Sequence, residues 1–203
     1  MATRTTLKGI IKEAIVNCTK DLGLKQHPTV KVVDTTETYV MAATGIIYAK
    51  GLFIKTITRT ECNYVLHINK NSIKGMLKKY KNIFGNKQAA YDYVYLIVCH
   101  ELRHMWQYQE QFQVGETTGG FDTMELFDGH GSTPVEADAN KYMISVAEKI
   151  GLKPLAMFME MEQRSEGLVN QLDKDFNKEM FKYYLKALKQ YNKVLYFIAM
   201  VLK

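Results

Sequence analysis

His100, Glu101 and His104 stand as H-E-x-x-H inside YDYVYLIVCHELRHMWQYQEQ, residues 91–111. On an α-helix, side chains four apart lie about 6 Å apart along the axis and about 40° apart around it, so the two imidazoles share a face. That spacing lets both grip one zinc ion while Glu101, a step further round, reaches a water bound to it. The metal lowers the water's pKa to about 7, and the glutamate takes its proton as the water attacks a carbonyl. The chemistry to which these residues point is Zn2+-assisted hydrolysis with Glu101 as general base.

The motif sits in a strongly apolar stretch. Tyr93, Val94, Tyr95, Leu96, Ile97, Val98 and Cys99 precede it, and Leu102, Met105 and Trp106 continue it. A helix apolar on every side is buried, and unpaired polar groups in such a helix cost several kcal/mol. A metal with its bound water would satisfy His100, Glu101 and His104 together. The competing reading is a helix end that turns toward solvent, with these residues on its wet face. Arg103 is a departure, because zinc peptidases usually leave that position uncharged.

A catalytic zinc takes three protein ligands and keeps a position for water. Glu110 stands six residues beyond His104 where a histidine would extend the motif, and Gln107 replaces the expected glycine, so the metzincin pattern is absent. Glu136 is the strongest candidate for third ligand. Thr133 as N-cap and Pro134 at the first helical position place it in the first turn of a new helix. Thr133-x-x-Glu136 equally makes a capping box, in which the glutamate bonds its own backbone. His130, between two glycines, is a second candidate, and a transition-state donor or plain loop residue suits it as well. Asp138 is third, and could instead orient a ligand histidine.

HELRH followed some thirty residues later by E-A-D-A-N-K-Y resembles the gluzincin peptidases, especially the small metallopeptidases of ImmA/IrrE type and, more distantly, the SprT-like ones. The resemblance spans roughly residues 30–150 and rests on short motifs. It implies an α+β, zincin-like fold: a small, mostly antiparallel sheet packed on the H-E-x-x-H helix. It also implies Glu136 as third ligand, with Ala139 and Asn140 as the small and polar pair and Tyr142 as the aromatic. The activity implied is a zinc-dependent endopeptidase acting on a protein or peptide substrate. His130 or Tyr142 would then be an oxyanion donor, and Asp138 or Asn140 a support for the ligands. The alternative is a non-catalytic binding or assembly protein of the same fold, with a structural metal or none.

The surrounding elements must position these groups. Apolar residues at helical spacing predict a first helix over residues 5–22, stopped by Gly23. Five stretches rich in Val, Ile, Tyr and Thr (29–34, 39–44, 46–49, 52–58 and 63–69) predict three to five short strands, with a hairpin turn at 49–52. His67 reads as a polar-face residue of the last strand, along which a substrate could lie by strand addition. A helix over 72–81 with Ser72 as N-cap, a glycine-rich loop over 114–132 and a helix from Pro134 follow. Gly151 and Pro154 mark a break, dividing a metallopeptidase domain (1–150) from a helical C-terminal extension (151–203) packed on it. That extension holds a Met-rich helix and a long helical pattern over 172–203.

At 203 residues, 47% hydrophobic and 24% charged, the chain has the composition of an ordinary soluble protein. The net charge of +6 admits an acidic partner such as nucleic acid, but the lysines are spread with acids between them. Cys18, Cys62 and Cys99 form no C-x-x-C pair and read as free thiols of a reducing compartment. The first residues lack the apolar block of a signal peptide, and no apolar run reaches the roughly 18 residues of a membrane span. The expected location is cytoplasmic.

Overall fold

The computed structural model describes residues 6–34, 41–47, 62–114, 134–167 and 174–201. The first helix, α1 (Leu7–Leu22), is set by its ends and by one apolar face. Thr6 Oγ1 accepts a hydrogen bond from the Gly9 amide at 3.1 Å. At the other end Gly23 takes the left-handed conformation, φ 63°, and the Leu24 amide donates to Thr19 O. Ile10, Ile11, Ala14, Ile15, Cys18 and Leu22 are buried between these caps.

Strands β1 (Thr29–Val33), β2 (Met41–Ile47) and β3 (Cys62–Asn69) form one sheet in the order β1-β3-β2. β1 runs parallel to β3, from Thr29 opposite Val65 to Val33 opposite Asn69. β2 runs antiparallel to β3, from Met41 opposite Ile68 to Ile47 opposite Cys62. The stretches expected as two strands around Gly45 are one strand, in which Gly45 pairs with Tyr64. The stretch at 52–58 and the turn at 49–52 lie outside the described residues.

β3 leads directly into α2 (Lys70–Phe84). The helix starts earlier than residue 72 because the buried Asn69 side chain accepts from the amides of Asn71 and Ser72. Asn69, not Ser72, is therefore the N-cap. Gly85, at φ 60°, closes the helix. The motif helix α3 (Lys87–Val114) follows, and its run from Asp92 to His100 is buried. It packs against α1, α2, the sheet and α4 (Pro134–Lys149).

After Gly151, α5 (Lys153–Gly167), α6 (Lys174–Tyr191) and α7 (Lys193–Val201) complete the described chain. The long helical pattern over 172–203 is two helices, because Asn192 Oδ1 accepts from the Leu195 amide and starts α7 afresh. Leu152, Leu155, Phe158 and Leu188 belong to the same core cluster as Ile10, Leu66 and Leu96. The described residues after Gly151 thus share the core of the preceding ones. No described helix is long and apolar enough to cross a membrane.

The expected α+β, zincin-like architecture with a small, mostly antiparallel sheet is overturned. The described residues are mostly helical, with seven helices beside three short strands, and one of the two strand pairings is parallel. Alternation along a strand reveals which side chains share a face, but not the partner or its direction. The suggested use of β3 as an open edge is corrected too. β3 is the central strand, hydrogen-bonded on both sides. His67 stays in that ladder, opposite Lys31 and Ala42.

Candidate metal centre

His100 and His104 come from one face of α3, and Glu136 from the first turn of α4 packed across it. The two Nε2 atoms are 3.1 Å apart. The Glu136 carboxylate spans them, Oε2 at 3.1 Å from His100 Nε2 and Oε1 at 3.2 Å from His104 Nε2. His100 is buried, and His104 and Glu136 are half-buried. These three residues form a group that could hold a metal ion. Ligands about 2.1 Å from a tetrahedral zinc would lie about 3.4 Å from one another, and the donor triangle, at 3.1–3.2 Å, is slightly smaller.

The hydrogen-bonding pattern tests the fit more sharply. His104 Nδ1 lies 2.8 Å from Gln107 Oε1, while Gln107 Nε2 donates to Asp138 Oδ2 at 2.8 Å. With its amide committed in this sense, Gln107 presents an acceptor to His104, which fixes the proton on Nδ1 and the lone pair on Nε2 of the neutral ring. That lone pair faces a carboxylate and a second imidazole nitrogen. A metal ion at the centre, or a proton shared among these atoms, would satisfy all three.

The titration behaviour without metal follows from this crowding. Burial penalises the His104 imidazolium, but the hydrogen bond to Glu136 and the negative charges of Glu101 and Glu136 outweigh it and raise the pKa from 6.5 to about 9. Burial alone would raise Glu136, yet hydrogen bonds from His100 and His104 and their charge hold it well below the carboxylate range. A proton thus occupies the place that a metal ion would take, and the two compete for it.

Arg103, the apparent anomaly of the motif, anchors the supporting layer. Its Nε and Nη2 donate to Asp138 Oδ2 and Oδ1 at 2.7 and 3.1 Å. Its guanidinium also stacks over Trp106, 3.7 Å from the ring centre. Although burial opposes it, the bonds from Arg103 and Gln107 keep Asp138 below its ordinary pKa. The chain of contact runs Arg103–Asp138–Gln107–His104. Asp138 therefore lies one residue removed from the donors, where it orients a ligand.

The other candidates are placed as follows. Glu101 is half-buried beside His104, near enough for its charge to act on that ring. The Tyr142 hydroxyl donates to Asp21 Oδ2 on α1 at 3.0 Å, a partner outside the donor triangle. Asn140 stands one turn beyond Glu136, and its Oδ1 is buried with no hydrogen-bond partner. His100 Nδ1, on α3, is likewise buried without one. His130 and Thr133 lie outside the described residues. Sequence reasoning missed Gln107 as a support. Its signal was the three-residue spacing from His104, which puts the two side chains on one helical face. No family model, curated protein or solved structure matches this chain.

Proposed function

We propose that the chain is a zinc-dependent peptidase in which His100, His104 and Glu136 hold the metal and Glu101 is the general base. The observation that carries this reading is the convergence of the two Nε2 atoms and the Glu136 carboxylate to 3.1–3.2 Å, with Glu101 next to His100 on the same helix. Zinc bound there would act as a Lewis acid, polarising a carbonyl and lowering the pKa of a coordinated water to about 7. Gln107 holds His104 in the tautomer that offers Nε2. Glu101 accepts the proton of the attacking water and delivers it to the amine that leaves. A site that served structure alone would have no use for a base beside its first ligand.

The test pairs two variants of the full chain. Elemental analysis should find roughly one zinc per chain in the unaltered protein and none in Glu136→Ala. Glu101→Gln should keep that zinc and lose cleavage of an unstructured protein such as casein by about two to four orders of magnitude. Undiminished cleavage by Glu101→Gln would remove the glutamate from the chemistry. Zinc retained by Glu136→Ala would remove it from the ligand set.

A further inference from the structure

Outside the metal centre, α1 and α3 meet through two sulfur atoms. Cys18 and Cys99 are not joined in a disulfide; they are 1% and 0% exposed, with Sγ atoms 3.0 Å apart. That is about 1 Å more than the length of a disulfide bond. Paired thiols in a core can serve packing alone, but a second feature distinguishes these. A cleft of about 220 Å³ opens beside them, and Asn17, Cys18, Asp21, Tyr95, Tyr142 and Lys149 are on its wall. Cys18 is thus on the wall of the cleft although only 1% exposed, and Cys99, wholly covered, lies behind it.

We infer that Cys18 and Cys99 are a redox-active dithiol, oxidised to an intramolecular disulfide by a low-molecular-weight disulfide that enters this cleft. The Cys18 thiolate attacks one sulfur of the reagent RSSR; its S–S bond breaks and one RS⁻ departs to take a proton from water. The Cys99 sulfur then attacks Cys18 Sγ. The bond from Cys18 to SR breaks, and the second RS⁻ leaves with the proton that Cys99 gives up. The dithiol loses two electrons and two protons, and the reagent becomes two RSH.

The surroundings favour Cys18 as the attacking sulfur. The hydrogen bond that Cys99 offers to the Cys18 thiolate lowers its pKa, against the opposing effect of burial. The Tyr142 hydrogen bond and Lys149 also lower it, while Asp21, paired with Lys149 at 3.5 Å on the same wall, opposes them. The product would tie residue 18 to residue 99, the neighbour of His100, and so fix α1 to the helix that carries the metal ligands. This inference is independent of what the metal centre does.

The test uses the full chain carrying Cys62→Ser, with oxidised glutathione as the probe, acid quenching and non-reducing peptide mapping by mass spectrometry. The expected result is a loss of two hydrogens, a linked Cys18–Cys99 peptide and no retained glutathione. With Cys99→Ala added, one glutathione should be trapped on Cys18. It should form at least about tenfold faster than any adduct on Cys99 in the Cys18→Ala chain, because access governs the rate. Two results would overturn the inference: equal rates on the two sulfurs, or no linkage in the folded Cys62→Ser chain when the same chain in urea becomes linked. The linkage measurement needs neither alanine variant to fold.

Discussion

At the scale of single residues, the centre is governed by which atoms carry protons. Gln107 is wholly buried and locked between His104 and Asp138. Gln107→Leu keeps the bulk but removes the acceptor, and should weaken zinc binding about 10–100-fold, read by competition with a chromophoric chelator. The raised pKa of His104 makes a separate prediction for metal-free protein. Because its folded value (about 9) exceeds its ordinary one (6.5), its contribution to stability is full below 6.5 and disappears as pH rises through about 9. Glu136 is shifted down, so its contribution is present above its ordinary 4.5 and lost as pH falls. Urea titrations of metal-free protein should therefore show stability falling between pH 6.5 and 9. His104→Gln should flatten that slope, and a slope identical in the variant would place the titration elsewhere.

At the scale of elements, the joints are as specific as the core. Gly85 closes α2 with φ 60°, and a Cβ there would meet Asn192 Nδ2 at 2.5 Å and Leu195 Cδ1 at 2.9 Å. The cost of Gly85→Ala thus has two sources, the left-handed backbone and the displaced start of α7. The backbone term alone is about 1–2 kcal/mol, so a loss of at least that size is expected in chemical denaturation. A loss no larger than the backbone term would mean that α7 does not sit against this turn, and a neutral effect that Gly85 is not left-handed. The same joint is held by Asn86 Nδ2 donating to Tyr191 O at 2.9 Å and by the Tyr191 hydroxyl donating to the buried Asp92 at 2.8 Å. Helix ends, rather than helix faces alone, hold the end of α6 to the start of α3.

For the whole molecule, the aromatic cluster decides how many units unfold. Phe84 on α2 lies 5.7 Å from Phe158 on α5, 6.0 Å from Tyr184 and 5.6 Å from Tyr191 on α6. Tyr80, also on α2, stacks at 4.1 Å on Tyr93 of α3. Residues on both sides of Gly151 thus share one packed interior. Phe158→Ala should cost about 3–5 kcal/mol, and its unfolding should remain a single transition seen alike by calorimetry and far-UV circular dichroism. Two separated transitions would show residues 1–150 and 151–203 unfolding as distinct units.

What the sequence determined by itself was local. The 3.6-residue period puts His100 and His104 on one face, the apolar repeat and Gly23 delimit α1, and Pro134 opens the helix of Glu136. Each of these follows from residues within a turn or two of one another. What only the tertiary structure decided was long-range. Whether Glu136 capped its own helix or faced the histidines depended on how α4 crosses α3. The Arg103–Asp138 and Gln107–Asp138 bonds span 35 and 31 residues, and no periodicity encodes them. The order and direction of the strands were likewise illegible, because alternation assigns faces but not neighbours. Arg103 looked out of place in the linear motif, since its partner is supplied by a helix that only folding brings near.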